Sequence, residues 1–116
     1  KKDQAVIWYY VGQLRYRFHI LSNPPADAEV AQLAQVNSSF GPAISDWAGR
    51  NVRYWTEQIG HSLDWDAKSP NTTTSKEGHK AELEQARQEL AAFRERLRAS
   101  ESEIRAQRQA RGLEVQ

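Results

Sequence analysis

The fold class is decided by the stretch AELEQARQELAAFRERLRASESEIRAQRQARG, residues 81–112. It consists mostly of Ala, Glu, Gln, Arg and Leu, which are strong helix formers with few large side chains to bury. Apolar residues recur at heptad spacing and define a seam along one side of a helix. The seam consists of Leu83, Leu90, Phe93, Leu97 and Ile104. The pattern predicts one long amphipathic helix over 75–112, with a short tail at 113–116.

The charges beside this seam leave three arrangements open. If two copies pair in parallel, the residue directly before Leu83, Leu90, Leu97 or Ile104 faces the residue five positions later on the other helix. All four such pairs are opposite in charge: Glu82–Arg87, Glu89–Arg94, Arg96–Glu101 and Glu103–Arg108. The pattern therefore favours a parallel over an antiparallel orientation in a possible homodimer through 79–108. The same seam also suits packing of its first two heptads against the N-terminal helices, or pairing with a different protein.

The N-terminal half holds nearly all of the large rings, since only Phe93 among the aromatic residues follows position 65. Because aromatic side chains dominate core burial, we expect residues 1–63 to form a compact helical core domain. Apolar residues at helical spacing predict three helices there, over about 3–22, 25–40 and 42–59. Helix ends are expected at Gly41-Pro42 and at Gly60. The apolar side of the second helix is expected to comprise Val30, Leu33, Val36 and Phe40.

A linker over 64–74 is predicted between the two halves. Ser69-Pro70-Asn71 and the three threonines after it are turn-forming residues. Thr74 and Glu77 have the spacing of a capping box, which predicts that the long helix starts there. The predicted fold is all-α, with a three-helix N-terminal bundle plus a long C-terminal heptad-patterned helix.

The composition excludes several classes of protein. The chain has no cysteine, which rules out disulfides and thiolate metal sites, and its formal net charge is +1. This near-neutral charge gives no overall attraction for nucleic acid or anionic membranes. No apolar run is long enough to predict a membrane span. The chain begins without methionine, so we expect the native start to be missing and lean to an exported, periplasmic protein.

No catalytic motif is recognisable, and we expect neither enzymatic activity nor a cofactor. The three histidines lie in different segments, and HExxH, GxSxG and Walker sequences are absent. The weak metal candidate is His61 with Asp64 and Asp66, but a polar turn explains the same residues. We therefore predict no metal site.

One face of the first helix has the composition of a binding surface. It comprises Trp8, Gly12, Arg15, Tyr16 and His19, and Arg53 of the third helix is expected to extend it. Trp, Tyr and Arg are enriched at interface hot spots, and a glycine within a helix costs about 1 kcal/mol relative to alanine. That cost suggests that another backbone approaches Gly12 closely. The alternative is that the first helix is central and packs on two sides.

These observations favour a non-enzymatic protein-binding module. The version we favour is a small inhibitor or immunity-type protein that masks a site on its partner. One alternative is a coiled-coil adaptor or assembly subunit that acts through the heptads. Another is a nucleic-acid-binding helical protein, because Arg105, Arg108 and Arg111 form a basic tail. Nucleic acid is disfavoured, since the candidate recognition helix begins at 42–46 without a side chain suited to reading bases.

Overall fold

The computed structural model describes residues 2–116, and over that range the chain is built from helices without any strand. The helices are α1 (Lys2–Ser22), α2 (Asp27–Ala48), α3 (Val52–Lys68), α4 (Lys80–Ala99) and α5 (Glu101–Ala110). The all-α prediction is therefore confirmed. Within the same range, no helix combines the length and the apolar character that crossing a bilayer requires.

The core lies where α1, α3 and α4 meet. Each of these helices contributes a stripe of buried side chains spaced three, four or seven residues apart, which places them on one helical face. The stripes consist of Val6, Tyr10, Leu14 and Phe18 in α1, Val52, Trp55, Ile59 and Leu63 in α3, and Ala86, Leu90 and Leu97 in α4. The apolar periodicity of these segments thus corresponds to burial.

The heptad seam packs inside the chain. Leu90 and Leu97 are buried in the core, and the other three seam residues, Leu83, Phe93 and Ile104, are partly buried against it. The parallel homodimer stays a prediction. The side chains that it would need are, however, already packed against α1 and α3.

The charged residues beside the seam also find partners within the chain. On one side, Arg94 Nε donates to the Thr56 carbonyl oxygen of α3 at 2.8 Å. On the other side, Glu89 pairs with Arg17 of α1 at 2.8 Å. One flank of the heptad pattern therefore faces α3 and the other faces α1. A parallel dimer and packing within the chain share this sequence pattern, because each places opposite charges beside a buried apolar stripe.

The predicted long helix begins later than expected and is interrupted once. Helix α4 starts at Lys80, and Ser100 separates α4 from α5 with φ −99° and ψ 9°. Thr74 does not cap the helix, because it is buried and its Oγ1 lies 3.0 Å from His19 Nδ1. Ser75 Oγ instead accepts a hydrogen bond from the Gly78 amide, which fixes a turn ahead of the helix.

Two glycines that we expected at helix ends lie inside helices. Helix α3 continues through Gly60, where an added β-carbon would lie 2.9 Å from Nη2 of Arg94. Helix α2 continues through Gly41-Pro42, and a β-carbon on Gly41 would lie 3.2 Å from the Tyr9 hydroxyl oxygen. Both glycines therefore make room for a side chain from another helix. The predicted helix ends at these two positions were wrong.

Candidate protein-binding groove

Two tyrosines of α1 connect it to α2. Tyr9 Oη donates to Asn37 Oδ1 at 2.9 Å, and Tyr16 Oη donates to Gln32 Oε1. Because the earlier tyrosine meets the later amide, α1 and α2 run antiparallel. A tyrosine phenol is protonated at neutral pH, since its ordinary pKa is about 10, and burial raises the pKa of Tyr9 further. The two hydroxyl–amide bonds add a polar component to this helix contact.

Helix α2 is thinly packed along its length. Of its residues, all of which are described, only Ala48 is buried. Three of the four residues expected on its apolar side are exposed: Val30 by 50%, Val36 by 41% and Phe40 by 60%. We call these three residues the α2 flank. Their expected burial was wrong, because the two tyrosines hold α2 to α1 at points that leave this side of the helix uncovered.

A groove of about 550 Å³ runs between α1, α2 and the segment 71–74. We call it the α1–α2 groove. Five of the six predicted partner-binding residues lie along its α1 wall, namely Trp8, Gly12, Arg15, Tyr16 and His19. Leu33 and Val36 supply the α2 wall. Arg53 is exposed on α3 and is not among the lining residues, so it does not extend this face.

Gly12 forms a gap in the α1 wall. Within residues 2–116 no atom outside its own helix backbone and chain neighbours lies within 4 Å of a β-carbon built there. Trp8 and Tyr16 lie one helical turn before and after it on the same face. The missing side chain therefore leaves a notch between two large rings, which we call the Gly12 notch. A side chain from outside the chain can enter it without displacing anything.

An aromatic cluster closes one end of the groove. The Trp8 ring meets the Trp65 ring edge to face at 4.9 Å between centroids. Both rings are partly exposed, Trp8 by 50% and Trp65 by 39%. The Arg15 guanidinium lies 4.8 Å from the centroid of the Trp65 ring, at cation–π distance. Aromatic surface is therefore exposed at this end, and the contact with Arg15 helps to fix the Trp65 ring.

Arg15 contributes to the groove chiefly by holding its wall together. Its Nε donates to Asp66 Oδ1 at 2.9 Å, and its Nη atoms donate to the carbonyl oxygens of Pro70 at 3.0 Å and Ser69 at 3.2 Å. These bonds use three of the five guanidinium N–H donors within the chain. Arg15 therefore ties α1 to the segment that follows α3.

Asp66 is the centre of a buried ionic cluster behind the groove. Its side chain is 2% exposed and also meets Arg87 at 3.2 Å and Lys76 at 3.8 Å. The three cations come from α1, α4 and the turn before α4, and they also lie at the C-terminal end of α3, where the helix dipole favours positive charge. Across residues 2–116 no group of three or more potential metal-ligating side chains gathers. The weak candidate at His61, Asp64 and Asp66 is thus not assembled.

The segment 71–74 forms the third wall. Asn71 Oδ1 accepts from the backbone amides of Thr73 and Thr74, each at 3.0 Å. Thr74 then contacts His19, whose ring stacks almost parallel to Tyr16. Neither this wall nor the α2 wall was predicted from the sequence. The sequence signal for the α2 wall was its apolar series, of which Leu33 and Val36 line the groove.

Comparison with protein-family models, with curated proteins and with solved structures gives no match to this chain.

Proposed function

We propose that this chain is a non-enzymatic protein-binding module whose α1–α2 groove receives a segment of a partner protein. The observation that carries the proposal is the open Gly12 notch between Trp8 and Tyr16, beside the exposed α2 flank. Exposed apolar surface next to a concave site is typical of interaction surfaces. Trp and Tyr are also the side chains that most often anchor an interface.

Within this class we favour a small inhibitor or immunity-type protein that masks a site on its partner. The coiled-coil adaptor, the main alternative, would have to expose a seam in which Leu90 and Leu97 are buried. Exposing them would remove two core residues, each worth about 2–5 kcal/mol if truncated to alanine. A groove already open at the surface supports binding at no such cost.

Nucleic-acid binding is supported less well. In the basic tail, Arg108 pairs with Asp46 at 3.3 Å, and its Nε donates to the Glu114 carbonyl oxygen at 2.9 Å. Arg105 donates to the Gln116 carbonyl oxygen. These guanidinium groups are thus partly neutralised or occupied within the chain, which weakens attraction for phosphate.

The experiment is affinity capture from native extract on three immobilised variants. They are the wild-type chain, Gly12→Leu, which fills the notch, and Gln88→Leu, which adds the same side chain at an exposed position on α4. We expect one stoichiometric protein on wild type and Gln88→Leu, and its loss on Gly12→Leu. Circular dichroism melts of all three establish that each variant folds.

Retention of the same protein by Gly12→Leu would overturn the proposal. Recovery of nucleic acid that is released at higher salt would also overturn it, because salt-dependent release is typical of phosphate contacts.

A further inference from the structure

The two helical walls of the α1–α2 groove offer no backbone groups for pairing. Two walls are α-helices, whose interior N–H and C=O groups are bonded within the helix. In the third wall, the amides of Thr73 and Thr74 already donate to Asn71 Oδ1. An extended peptide that binds by strand addition obtains its affinity from main-chain hydrogen bonds. A segment buried between α1 and α2 must instead satisfy its own backbone, as an α-helix does.

The length of the groove suits a helix of a few turns. From Trp8 to His19 the α1 wall extends over eleven residue steps, or about 16 Å at the helical rise. The opposite wall is also helical and runs antiparallel, so both walls present ridges spaced by one turn. A third helix laid between them places an apolar side chain every third or fourth residue into the groove. The Gly12 notch, open between Trp8 and Tyr16, takes the largest of these side chains.

The charge of the α2 wall favours a bound helix whose neighbouring edge carries the opposite charge. Residues 27–48 contain Asp27, Glu29 and Asp46 and no lysine or arginine. Asp46 pairs with Arg108, whereas Asp27 and Glu29 are in the first turn of α2, and Glu29 lies one helical turn before the groove-lining Leu33. On the α1 side, Arg15 lines the groove and, like Lys76, pairs with Asp66. The α2 side of the groove therefore presents negative charge.

We infer that the occupant of the α1–α2 groove is a single amphipathic α-helix of another protein. Its apolar stripe carries a large side chain that fills the Gly12 notch, and lysines or arginines line the edge beside Asp27 and Glu29. Opposite charges at this rim steer association and fix the orientation of the bound helix. The inference rests on the proposed function and specifies the class of segment that the groove accepts.

Three synthetic peptides of about 18 residues test the occupant, a length that gives roughly five helical turns. The first has a leucine stripe at helical spacing with flanking lysines, the second the same stripe with flanking glutamates, and the third is the lysine peptide with a central proline. Binding is measured by calorimetry and by amide NMR shifts of the isotope-labelled full chain. We expect the lysine peptide to bind and to shift the signals of Trp8 and Gly12. The glutamate and proline peptides should each bind at least about tenfold more weakly, a difference of 1.4 kcal/mol.

Protein variants locate the site. Gly12→Leu should weaken binding of the lysine peptide by about tenfold or more, whereas Gln88→Leu should leave it unchanged. Asp27→Asn combined with Glu29→Gln should reduce the preference for lysine over glutamate peptide. Equal binding of the proline peptide would overturn the helical occupant. Equal binding of the glutamate peptide would overturn the basic edge, and shifts confined to residues outside the groove would overturn the location.

The peptide experiment and the capture experiment test separate claims, so their failures can be told apart. If no peptide binds while a captured protein remains sensitive to Gly12→Leu, the helical occupant is overturned and the proposed function stands. If capture is indifferent to Gly12→Leu, the proposed function fails and this inference fails with it.

Discussion

The Asp66 carboxylate, in a residue that is 1% exposed, accepts a hydrogen bond from Arg15 Nε at 2.9 Å and thereby joins the end of α3 to the wall of the α1–α2 groove. The two residues are 51 positions apart in the chain. The contact makes the shape of the groove depend on an ionic cluster that lies behind it. A residue at the groove surface is in this way positioned by one that is buried.

Replacing Asp66 with asparagine should lower the free energy of unfolding by about 3 kcal/mol, because removing one partner of a buried ionic cluster leaves the others uncompensated. Urea denaturation measures this loss. The matched control is Asp64→Asn, two residues earlier and exposed on the same helix. That change should alter the free energy of unfolding by less than about 0.5 kcal/mol. Equal effects of the two substitutions would contradict the role assigned to Asp66.

Glu89 gives a prediction for pH dependence. The hydrogen bond from Arg17 holds the pKa of Glu89 below its ordinary value of 4.5. A carboxyl group whose pKa is lowered by folding stabilises the protein above its unfolded-state pKa, and this contribution is lost as pH falls through the folded-state pKa. Because both side chains are well exposed, Glu89→Gln should cost only about 0.5 kcal/mol at pH 7.

The free energies of unfolding of wild type and Glu89→Gln should converge as pH falls below 4.5. Glu77→Gln serves as a control, because Glu77 forms no ion pair among residues 2–116. A difference between wild type and Glu89→Gln that widened in acid would have the wrong sign and would refute this assignment.

Two glycine-to-alanine changes should have opposite effects on stability. A β-carbon at Gly12 meets open space within a helix, so Gly12→Ala should stabilise the fold by about 1 kcal/mol. At Gly49 a β-carbon would lie 2.6 Å from the Ser45 carbonyl oxygen, so the backbone must shift. Gly49→Ala should therefore destabilise by about 1–3 kcal/mol, as overpacking does. Thermal melts of both variants measure the signs, and the same sign for both would be inconsistent with the described packing.

Helix α2 should open more readily than α1 or α3. Few buried apolar contacts and exposed backbone hydrogen bonds lower the free energy of local opening, and only Ala48 of α2 is buried. Native-state hydrogen exchange should therefore show faster exchange over 31–44 than over the middle of α1 or α3. Protection of α2 equal to that of α1 would show that the tyrosine contacts hold it more firmly than its burial suggests.

Local periodicity predicted what is buried in three of the helices. The first helix was expected over about 3–22 and is observed from Lys2 to Ser22. The heptad seam was identified from spacing alone, and its members belong to or adjoin the core. Such a stripe can be read from one segment because the period of burial equals the period of the helix.

Features that depend on distant residues could not be read this way. Gly60 was interpreted as a helix end, but its lack of a side chain accommodates Arg94, 34 positions later. The charges beside the seam predicted a dimer as readily as internal packing, because Glu89 finds Arg17 only when α1 and α4 are brought together. The sequence of one segment does not specify which helix will pack against it.

The candidate site was predicted only in part for the same reason. Five residues of the α1 wall share one helical face, which spacing reveals. The α2 wall depends on the bonds of Tyr9 and Tyr16, and these leave Val36 and Phe40 exposed although their spacing predicted burial. The wall at 71–74 depends on contacts made through Asn71 and Thr74.

The thin packing of α2 bears on how a chain of this kind changes over generations. Exposed substitutions away from special features usually cost less than about 0.5 kcal/mol, and nearly all of α2 is only partly buried or exposed. Substitutions at Val36 and its neighbours therefore cost little stability, whereas the Arg15–Asp66 contact maintains the shape of the opposite wall. The α2 wall of the groove can therefore change without rebuilding the core, whereas the α1 wall belongs to a helix that also carries the core residues Val6, Tyr10, Leu14 and Phe18.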